Sequence, residues 1–229
     1  VNIFFLDAKK NRLTVLPPDI NRSEYRFVPV SRSEIRYGLG AVKGTGEQAV
    51  NAIIEARTLG GPFVDLFDFC LRVDRRMVNR RTIEALIKAW HRQNKASRKL
   101  ETIPGIGPIT ATALVASIGD ARNFDNARQL AAWLGLVPRQ HSSGGKNNLL
   151  GISKRGDAYL RTLLIHGARA ALPSLARSET PLGRWLTGMI ERGVHRNAIV
   201  VTLANKLAKI AWAALRKEAT FERGYPVAA

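Results

Sequence analysis

The chain has 229 residues, which is enough for one large or two small domains, each with a core of its own. Its 36 lysines and arginines outnumber 18 aspartates and glutamates, and the net charge of +18 favours nucleic acid as the partner over a membrane surface. The one cysteine excludes an internal disulfide and a cysteine-based metal cluster, and it fits a reducing cytoplasm. We expect no membrane segment, because we find no apolar run near about 18 residues and no basic leader before the short apolar start.

Short elements are predicted at the beginning of the chain. Residues 1–10 are typical of the end of a helix, and the stretch before Pro17 is expected to be extended. Alternation over Tyr25–Val30 and Glu34–Tyr37 predicts two short strands joined by a turn. We expect no other β structure in the chain.

Two glycine pairs organise the sequence. Apolar residues at helical spacing flank Gly105 and Gly107 within Leu100–Leu114, which predicts two helices joined by a tight hinge. Glycine permits positive φ and leaves no Cβ in the way, and the N–H groups that begin the second helix can hold a phosphate. This pattern resembles the helix-hairpin-helix motif, which binds the DNA sugar–phosphate backbone independently of base sequence. The alternative is an ordinary turn between two core helices.

The same skeleton occurs earlier, over Leu39–Ile53. Gly44 and Gly46 stand where the second pair has Gly105 and Gly107, and Lys43 places a cation beside the predicted phosphate site. A cluster of arginines follows, and we favour phosphate contact over a solvated face for its members: Arg72, Arg75, Arg76, Arg80 and Arg81. From the last of these, one long helix is predicted up to Pro104.

The remainder of the chain is predicted to be mainly helical. A helix over Asn126–Leu134, capped by Asn123 or Asp125, precedes a glycine-rich loop over Gly135–Gly151. Asp157 opens a helix that is expected to stop at Pro173, and the residues just before it form another possible phosphate site. Further helices are predicted at Pro181–Arg192 and Asn197–Lys217, and the second of them has one apolar face: Ile199, Leu203, Leu207, Ile210 and Ala214. Core positions are predicted for three tryptophans: Trp133, Trp185 and Trp212. The predicted fold is therefore mainly α, with two helix-hairpin-helix units, a small β hairpin near the N-terminus and a C-terminal helical bundle over 157–218.

Residues 13–89 closely resemble the bacterial DNA polymerase III alpha subunit. The strings that carry the resemblance are Val15–Ser23, Ile35–Gly46, Gly61–Cys70 and Val78–Ala89. The resemblance implies a domain over 1–89 that comes from the helix-hairpin-helix region and binds duplex DNA. The family's palm, with its metal-binding aspartates, lies upstream and is not matched, so we expect no polymerisation.

Residues 94–223 resemble the C-terminal domain of insertion-element transposases that combine a RuvC-like acidic domain with a serine-bearing domain. The strings are Thr102–Pro108, Ala131–Arg139, Ser142–Lys146 and Gly151–Ala170. The resemblance implies a second domain over 90–229, with a helix-hairpin-helix at 100–115 and a Ser-Gly loop at 139–151. In that loop Ser143, or Ser142 in the competing register, is the nucleophile that attacks DNA. Nearby cations are expected to contact DNA: Arg139, Lys146, Lys154, Arg155 and Arg161.

The two resemblances together indicate a chimera joined near Ala89 and Trp90. The family's acidic domain is not matched here, so we expect no metal site or cofactor in this chain, and Mg²⁺ only together with that domain. Double-stranded DNA is the predicted partner; the transposase resemblance adds a guide RNA and a homo-oligomer. One hypothesis is a truncated transposase-like protein, inactive alone and nucleoid-associated in the cytoplasm. The other is a non-catalytic, duplex-binding remnant of the polymerase subunit.

Overall fold

The computed structural model describes residues 2–216 except 65, 75, 144 and 145, and only the backbone of residues 2–4, 9, 66, 67, 70, 140–143 and 146–150. Two compact units divide the chain, Val1–Asn94 and Lys95–Ala229. The predicted join near Ala89 and Trp90 lies inside one continuous helix of the first unit, Arg80–Gln93. The helical pattern that crosses the join in the sequence is therefore one helix in the structure.

The first unit begins with helix α1 (Asn2–Lys10) and three short strands, β1 (Thr14–Leu16), β2 (Val28–Pro29) and β3 (Glu34–Arg36). Strands β2 and β3 pair antiparallel, which confirms the predicted hairpin. Strand β1 pairs parallel with β3, Val15 opposite Ile35, where only an extended segment was predicted. This third strand was missed because a three-residue strand has no readable period, and its partner is remote in sequence.

Helices complete the first unit: a 3₁₀ turn (Leu39–Ala41), α2 (Glu47–Gly60), α3 (Leu66–Arg72) and α4 (Arg80–Gln93). Helix α2 turns Ala49, Val50 and Ile53 inward, a spacing that places them on one face. They form a core with residues from the neighbouring elements: Leu39, Phe63, Phe69, Val73 and Val78. This core fixes α2 against the 3₁₀ turn that precedes it.

The second unit contains α5 (Lys95–Glu101), α6 (Pro108–Ile118), a 3₁₀ turn (Ala121–Asn123), α7 (Ala127–Trp133), β4 (Pro138–Ser143) and β5 (Lys146–Ile152). It ends with α8 (Ala158–Ala176), α9 (Pro181–Glu191) and α10 (Arg196–Arg216). Helix α10 packs against α5, α7, α8 and α9. Its predicted apolar face is confirmed, since all five members are buried: Ile199, Leu203, Leu207, Ile210 and Ala214. The mainly α fold is thus confirmed.

Two predicted helix boundaries are wrong. The helix expected from Arg81 to Pro104 breaks at Asn94, which takes an extended conformation (φ −90°, ψ 112°) between α4 and α5. Asparagine competes with the helical backbone for hydrogen bonds, so it ends helices more readily than alkyl residues do. Helix α8 runs through Pro173 to Ala176 instead of stopping there, because proline removes only one backbone donor and the surrounding packing retains the helix.

The glycine-rich segment is not the loop predicted over 139–151. Strands β4 and β5 pair antiparallel there, with Gln140 opposite Leu149 and Ser143 opposite Lys146. The asparagines and glycines of this segment have low strand propensity, which hid the hairpin from a propensity argument. The expectation of a single β element in the chain is therefore wrong.

Helix α10 is the one described helix that is long and apolar enough to cross a membrane by length and composition. Half of its most apolar 18-residue stretch is buried inside the protein. We had recognised no apolar segment of this length in the sequence. Its apolar face forms the centre of the second unit's core, as in the central helix of a globular bundle.

Candidate nucleic-acid interface

Each glycine pair forms a sharp turn before a helix, as predicted. The first glycine of each pair has positive φ, +99° at Gly44 and +88° at Gly105. The second is extended and begins the next helix, with φ −83° at Gly46 before α2 and φ −86° at Gly107 before α6. Only the first position of each turn therefore needs the left-handed conformation that glycine adopts readily.

The helices that follow the two turns begin without a side-chain cap. By contrast, the N-cap side chains of four other helices accept a hydrogen bond from the first turn: Asn79 in α4, Asn126 in α7, Asp157 in α8 and Thr180 in α9. Asn126 thus caps α7 in place of the predicted Asn123 or Asp125. Uncapped N–H groups at a helix N-terminus, with the positive end of the helix dipole, favour an anion.

Gly46 and Gly107, the second glycines of the two pairs, have more open space around them than Gly44 and Gly105. A Cβ added at either would meet no atom within 4 Å, so a ligand can approach this backbone closely. At Gly44 an added Cβ would make only an ordinary contact, 3.5 Å from the Ala85 Cβ. At Gly105 it would lie 2.7 Å from the Gly167 carbonyl oxygen. The missing Cβ at Gly105 thus makes room for helix α8, and a DNA contact at this residue stays a prediction.

Gly167 was missed by sequence reasoning. Its own added Cβ would overlap the Gly105 carbonyl oxygen, so the two glycines meet backbone to backbone where the turn before α6 packs on α8. A small residue on a mostly apolar helix is the signal that indicates such a close approach.

Two exposed cations belong to segments that meet at the first hairpin. Lys43 is exposed beside Gly44, and the start of α4 lies close by, because the Thr82 hydroxyl is 3.5 Å from the Gly44 carbonyl oxygen. Arg81, next to that threonine, is exposed. The fold therefore brings the segments that carry Lys43 and Arg81, which are remote in sequence, to the same glycine turn.

The rest of the predicted arginine cluster behaves differently. The Arg72 guanidinium donates to the carbonyls of Ala56 at 2.7 Å and Gly61 at 2.6 Å, at the end of α2. It also bonds the Asp68 carboxylate at 2.8 Å, so its role is structural and the expectation of a phosphate contact there is wrong. Arg76 pairs with Asp74 and Arg80 with Glu84 on the surface, and Arg75 lies outside the described residues.

The serine-bearing hairpin is described by its backbone. Ser143 pairs with Lys146 at the turn end of β4 and β5, and Ser142 pairs with Asn147. Residues 144 and 145 lie outside the described part of the chain, as do the side chains of both serines and of Lys146. Arg139, at the opposite end of β4, is exposed.

Three cations predicted to serve the serine lie at the far end of this hairpin. The segment after β5 is held against the end of α7, since the N–H of Ser153 donates to Val137 at 2.8 Å and that of Lys154 to Gly135 at 3.1 Å. Lys154 takes positive φ of 55° there. Five residues of strand, a length of roughly 17 Å, separate this end of the hairpin from Ser143. Closeness in sequence was therefore a poor guide to closeness in space.

Two details of this segment correct the sequence interpretation. The Arg161 guanidinium donates to the Leu134 carbonyl at 3.2 Å, so it closes the end of α7, while Lys154 and Arg155 stay exposed. The carboxylate of Asp157 accepts the Leu160 N–H at 2.9 Å, and this anion occupies the helix end where a phosphate was expected.

The tryptophans divide between core and surface. Trp133 is 39% exposed and Trp185 is 36% exposed, so the expected core positions are wrong for both. Trp212 packs against the core, and its indole N–H donates to the carbonyls of Ala121 and Phe124. Among the side chains that the structure describes, no group of three or more His, Cys, Asp or Glu converges in a way that could hold a metal ion.

Comparison with known proteins divides the chain at the same place as the two resemblances. Residues 97–180 match the Transposase IS116/IS110/IS902 family, and residues 12–91 match the helix-hairpin-helix motif. A probable family 20 transposase of Pseudomonas aeruginosa is 51% identical over 142 residues, which is 62% of this chain and 42% of the relative. The transposase for insertion sequence element IS1111A of Coxiella burnetii is 49% identical over 142 residues, 62% of this chain and 38% of the relative.

The first unit has different relatives. The DNA polymerase III subunit alpha of Neisseria meningitidis serogroup A is 55% identical over 85 residues, 37% of this chain and 7% of that subunit. The chain therefore spans less than half the length of these two transposases and less than a tenth of the length of this polymerase subunit. Both predicted resemblances are confirmed, and the chain joins a polymerase-like segment to a transposase-like segment.

Proposed function

We propose that this chain binds duplex DNA along its sugar–phosphate backbone, with one phosphate held at the start of α2 and another at the start of α6. The observation that carries the proposal is the pair of uncapped helix N-termini at Gly46 and Gly107, each with open space where a Cβ would stand. Backbone N–H groups recognise phosphate oxygens and carry no information about base sequence.

Electrostatics supports the same partner. The net charge of +18 draws a polyanion to the protein, and the exposed Lys43 and Arg81 belong to segments that meet at the first glycine turn. Glu47 in the first turn of α2 opposes an anion there, whereas α6 has no acidic residue in its first turn. The second site is therefore expected to hold a phosphate with less repulsion.

Fluorescence anisotropy with two unrelated duplexes over a range of salt tests this proposal. Each phosphate contact contributes about −0.9 to the slope of log K against log salt, so two hairpins give a slope of about −2 or steeper. We expect similar affinity for both duplexes. A flat salt dependence, or strong preference for one of two arbitrary sequences, would overturn backbone binding by these hairpins.

A second function concerns the serine hairpin, because residues 97–180, which include Ser143, match a transposase family. In this proposal the Ser143 oxygen forms a bond to a DNA phosphorus, and the bond from that phosphorus to one deoxyribose oxygen breaks. The serine proton passes to a base, and the released sugar hydroxyl takes up a proton. Of the predicted cations, Lys146 is the one whose backbone pairs directly with Ser143, so we assign it to the developing negative charge.

Incubation with DNA carrying insertion-element ends, with and without a full-length relative, tests this chemistry. A covalent protein–DNA adduct on denaturing gels is expected with the relative present, lost in Ser143→Ala and retained in Ser142→Ala. Lys146→Gln should lower adduct formation, and Lys154→Gln, at the far end of the hairpin, should not. Absence of any adduct traceable to this chain under both conditions would reduce its function to DNA binding, as expected for a polymerase-like remnant.

The remaining assignments follow from the same proposals. A cytoplasmic, nucleoid-associated location follows from DNA binding, and co-purification with the nucleoid tests it. A guide RNA and a homo-oligomer follow only from the transposase relationship. Nuclease-sensitive RNA in the purified protein, and its mass in solution by light scattering, test these two assignments separately.

A further inference from the structure

The second unit carries a basic face that the sequence patterns did not indicate. It is formed where α7 meets α10 and consists of Arg128, Lys206 and Lys209, which we call the α7/α10 face. Arg128 is exposed, and the two lysines are partly exposed. None of these residues belongs to a glycine hairpin or to the serine hairpin.

Hydrogen bonds fix the position of Lys209 on this face. One turn before it, the Asn205 side-chain amide donates to the Leu136 carbonyl at 3.0 Å. Three residues after it, the Trp212 indole N–H donates to the carbonyls of Ala121 at 3.2 Å and Phe124 at 3.3 Å. Residues spaced by three and four lie on one side of a helix, so Lys209 faces the segment between Phe124 and Leu136.

Arg128 lies within that segment, in the first turn of α7. The contact between α7 and α10 is fixed by fully buried residues, among them Leu130 and Ala131 on one helix and Leu207 and Ala208 on the other. The core therefore holds the arginine and Lys209 near each other whether or not their charges are balanced. Burial, together with the charges of Arg128 and Lys206, lowers the pKa of the Lys209 ammonium.

Acidic residues that could balance this face are few. Helix α10 contains four basic residues and no acidic one, and Asp125 is the one acidic residue between 121 and 136. Asp120, just before that segment, is engaged with Arg122 at 3.3 Å. Within the described part of the chain, neither Arg128 nor Lys209 has an ion-pair partner.

We propose that Arg128 and Lys209 together hold a phosphate of duplex DNA, at a contact site separate from the two glycine hairpins. The proposal rests on the proposed DNA binding of the chain and extends it to the α7/α10 face. Two cations held together by the core, without an acidic partner, form a site of high positive potential, and an anion relieves their mutual repulsion. A phosphodiester fits, because it presents two non-bridging oxygens, which share its negative charge, to two donors.

The test compares two double variants of the full chain by anisotropy with one duplex. Arg128→Gln/Lys209→Gln removes the proposed site. Arg184→Gln/Arg192→Gln is the matched control, because it removes two exposed charges, one in α9 and one at the residue that follows it. Loss of one phosphate contact makes the salt slope shallower by about 0.9 and weakens binding about fivefold at 0.15 M salt. The control should weaken binding less than twofold, and Lys209→Arg, which keeps the charge, should bind like wild type. Circular dichroism confirms that each variant is folded.

Each alternative outcome is decisive. Equal weakening by both double variants would show a general charge effect and overturn the site. Unchanged binding in Arg128→Gln/Lys209→Gln would also overturn it, while leaving backbone binding by the hairpins intact. If wild type shows no salt-dependent binding to duplex DNA, the proposed function fails, and this inference fails with it.

Discussion

Replacement of Gly105 by alanine separates the packing role of this glycine from any role in DNA contact. The residue has φ of +88°, a conformation that costs an L-residue about 1–2 kcal/mol. The new methyl group would also lie 2.7 Å from the Gly167 carbonyl oxygen and 3.2 Å from the Ala171 Cβ. Overpacking of this kind costs about 1–3 kcal/mol, so we expect a total loss of about 2–5 kcal/mol.

Thermal unfolding followed by tryptophan fluorescence measures this loss. Three of the four tryptophans, Trp133, Trp185 and Trp212, lie in the second unit, so the signal reports mainly on the unit that contains Gly105. At roughly 4 °C per kcal/mol, Tm should fall by about 8–20 °C. Gly167→Ala approaches the same contact from α8 and should destabilise at least as strongly.

Gly107→Ala is the matched control. Its φ of −86° suits any residue, and the added methyl meets nothing within 4 Å. The loss of glycine at an N-cap costs less than about 1 kcal/mol, so Tm should stay within about 4 °C of wild type. A Tm for Gly105→Ala as high as that of Gly107→Ala would refute close packing of the Gly105 turn against α8.

Three further predictions concern single residues. Arg72→Lys keeps the charge but cannot reach the carbonyls of Ala56 and Gly61 together, so the first unit should lose about 1–3 kcal/mol in urea unfolding; an unchanged midpoint would contradict its structural role. The Val64 N–H, followed by the Arg72 guanidinium, lowers the pKa of the Asp68 carboxyl from its ordinary 3.8. The ionised Asp68 carboxylate therefore contributes stability that is fully present above pH 3.8 and is lost as pH falls through its lower pKa in the folded state. Asp68→Asn should flatten this acid limb in a plot of unfolding free energy against pH, and an identical limb in the variant would exclude Asp68 as its source. Asp157→Ala should destabilise α8 by about 1 kcal/mol in thermal melts, whereas Asp157→Asn, which still caps, should cost less; equal losses would argue against capping.

Local patterns predicted the helices well, because amphipathic spacing and turn residues lie close together in sequence. The buried face of α10 is of this kind. The glycine turns were also predictable, because positive φ at Gly44 and Gly105 has a clear residue preference.

Contacts between remote segments could not be predicted in the same way. Nothing local to Gly105 indicates that Gly167 will pack against it, and nothing local to Arg72 indicates the carbonyls of α2. The separation of Lys154 from Ser143 has the same cause, since it depends on a strand pairing that the composition of the segment conceals. Sequence therefore located the candidate residues, and the fold decided which of them share a surface.

The most direct test of backbone binding by the two hairpins is the duplex affinity of Gly46→Ala/Gly107→Ala compared with wild type over a range of salt concentrations. Both methyl groups enter open space, so the fold should stay intact by circular dichroism. We predict about a thirtyfold loss at 0.15 M salt if both phosphate contacts are lost, with a salt slope shallower by about 1.8. Wild-type affinity and slope in the folded double variant would contradict the account.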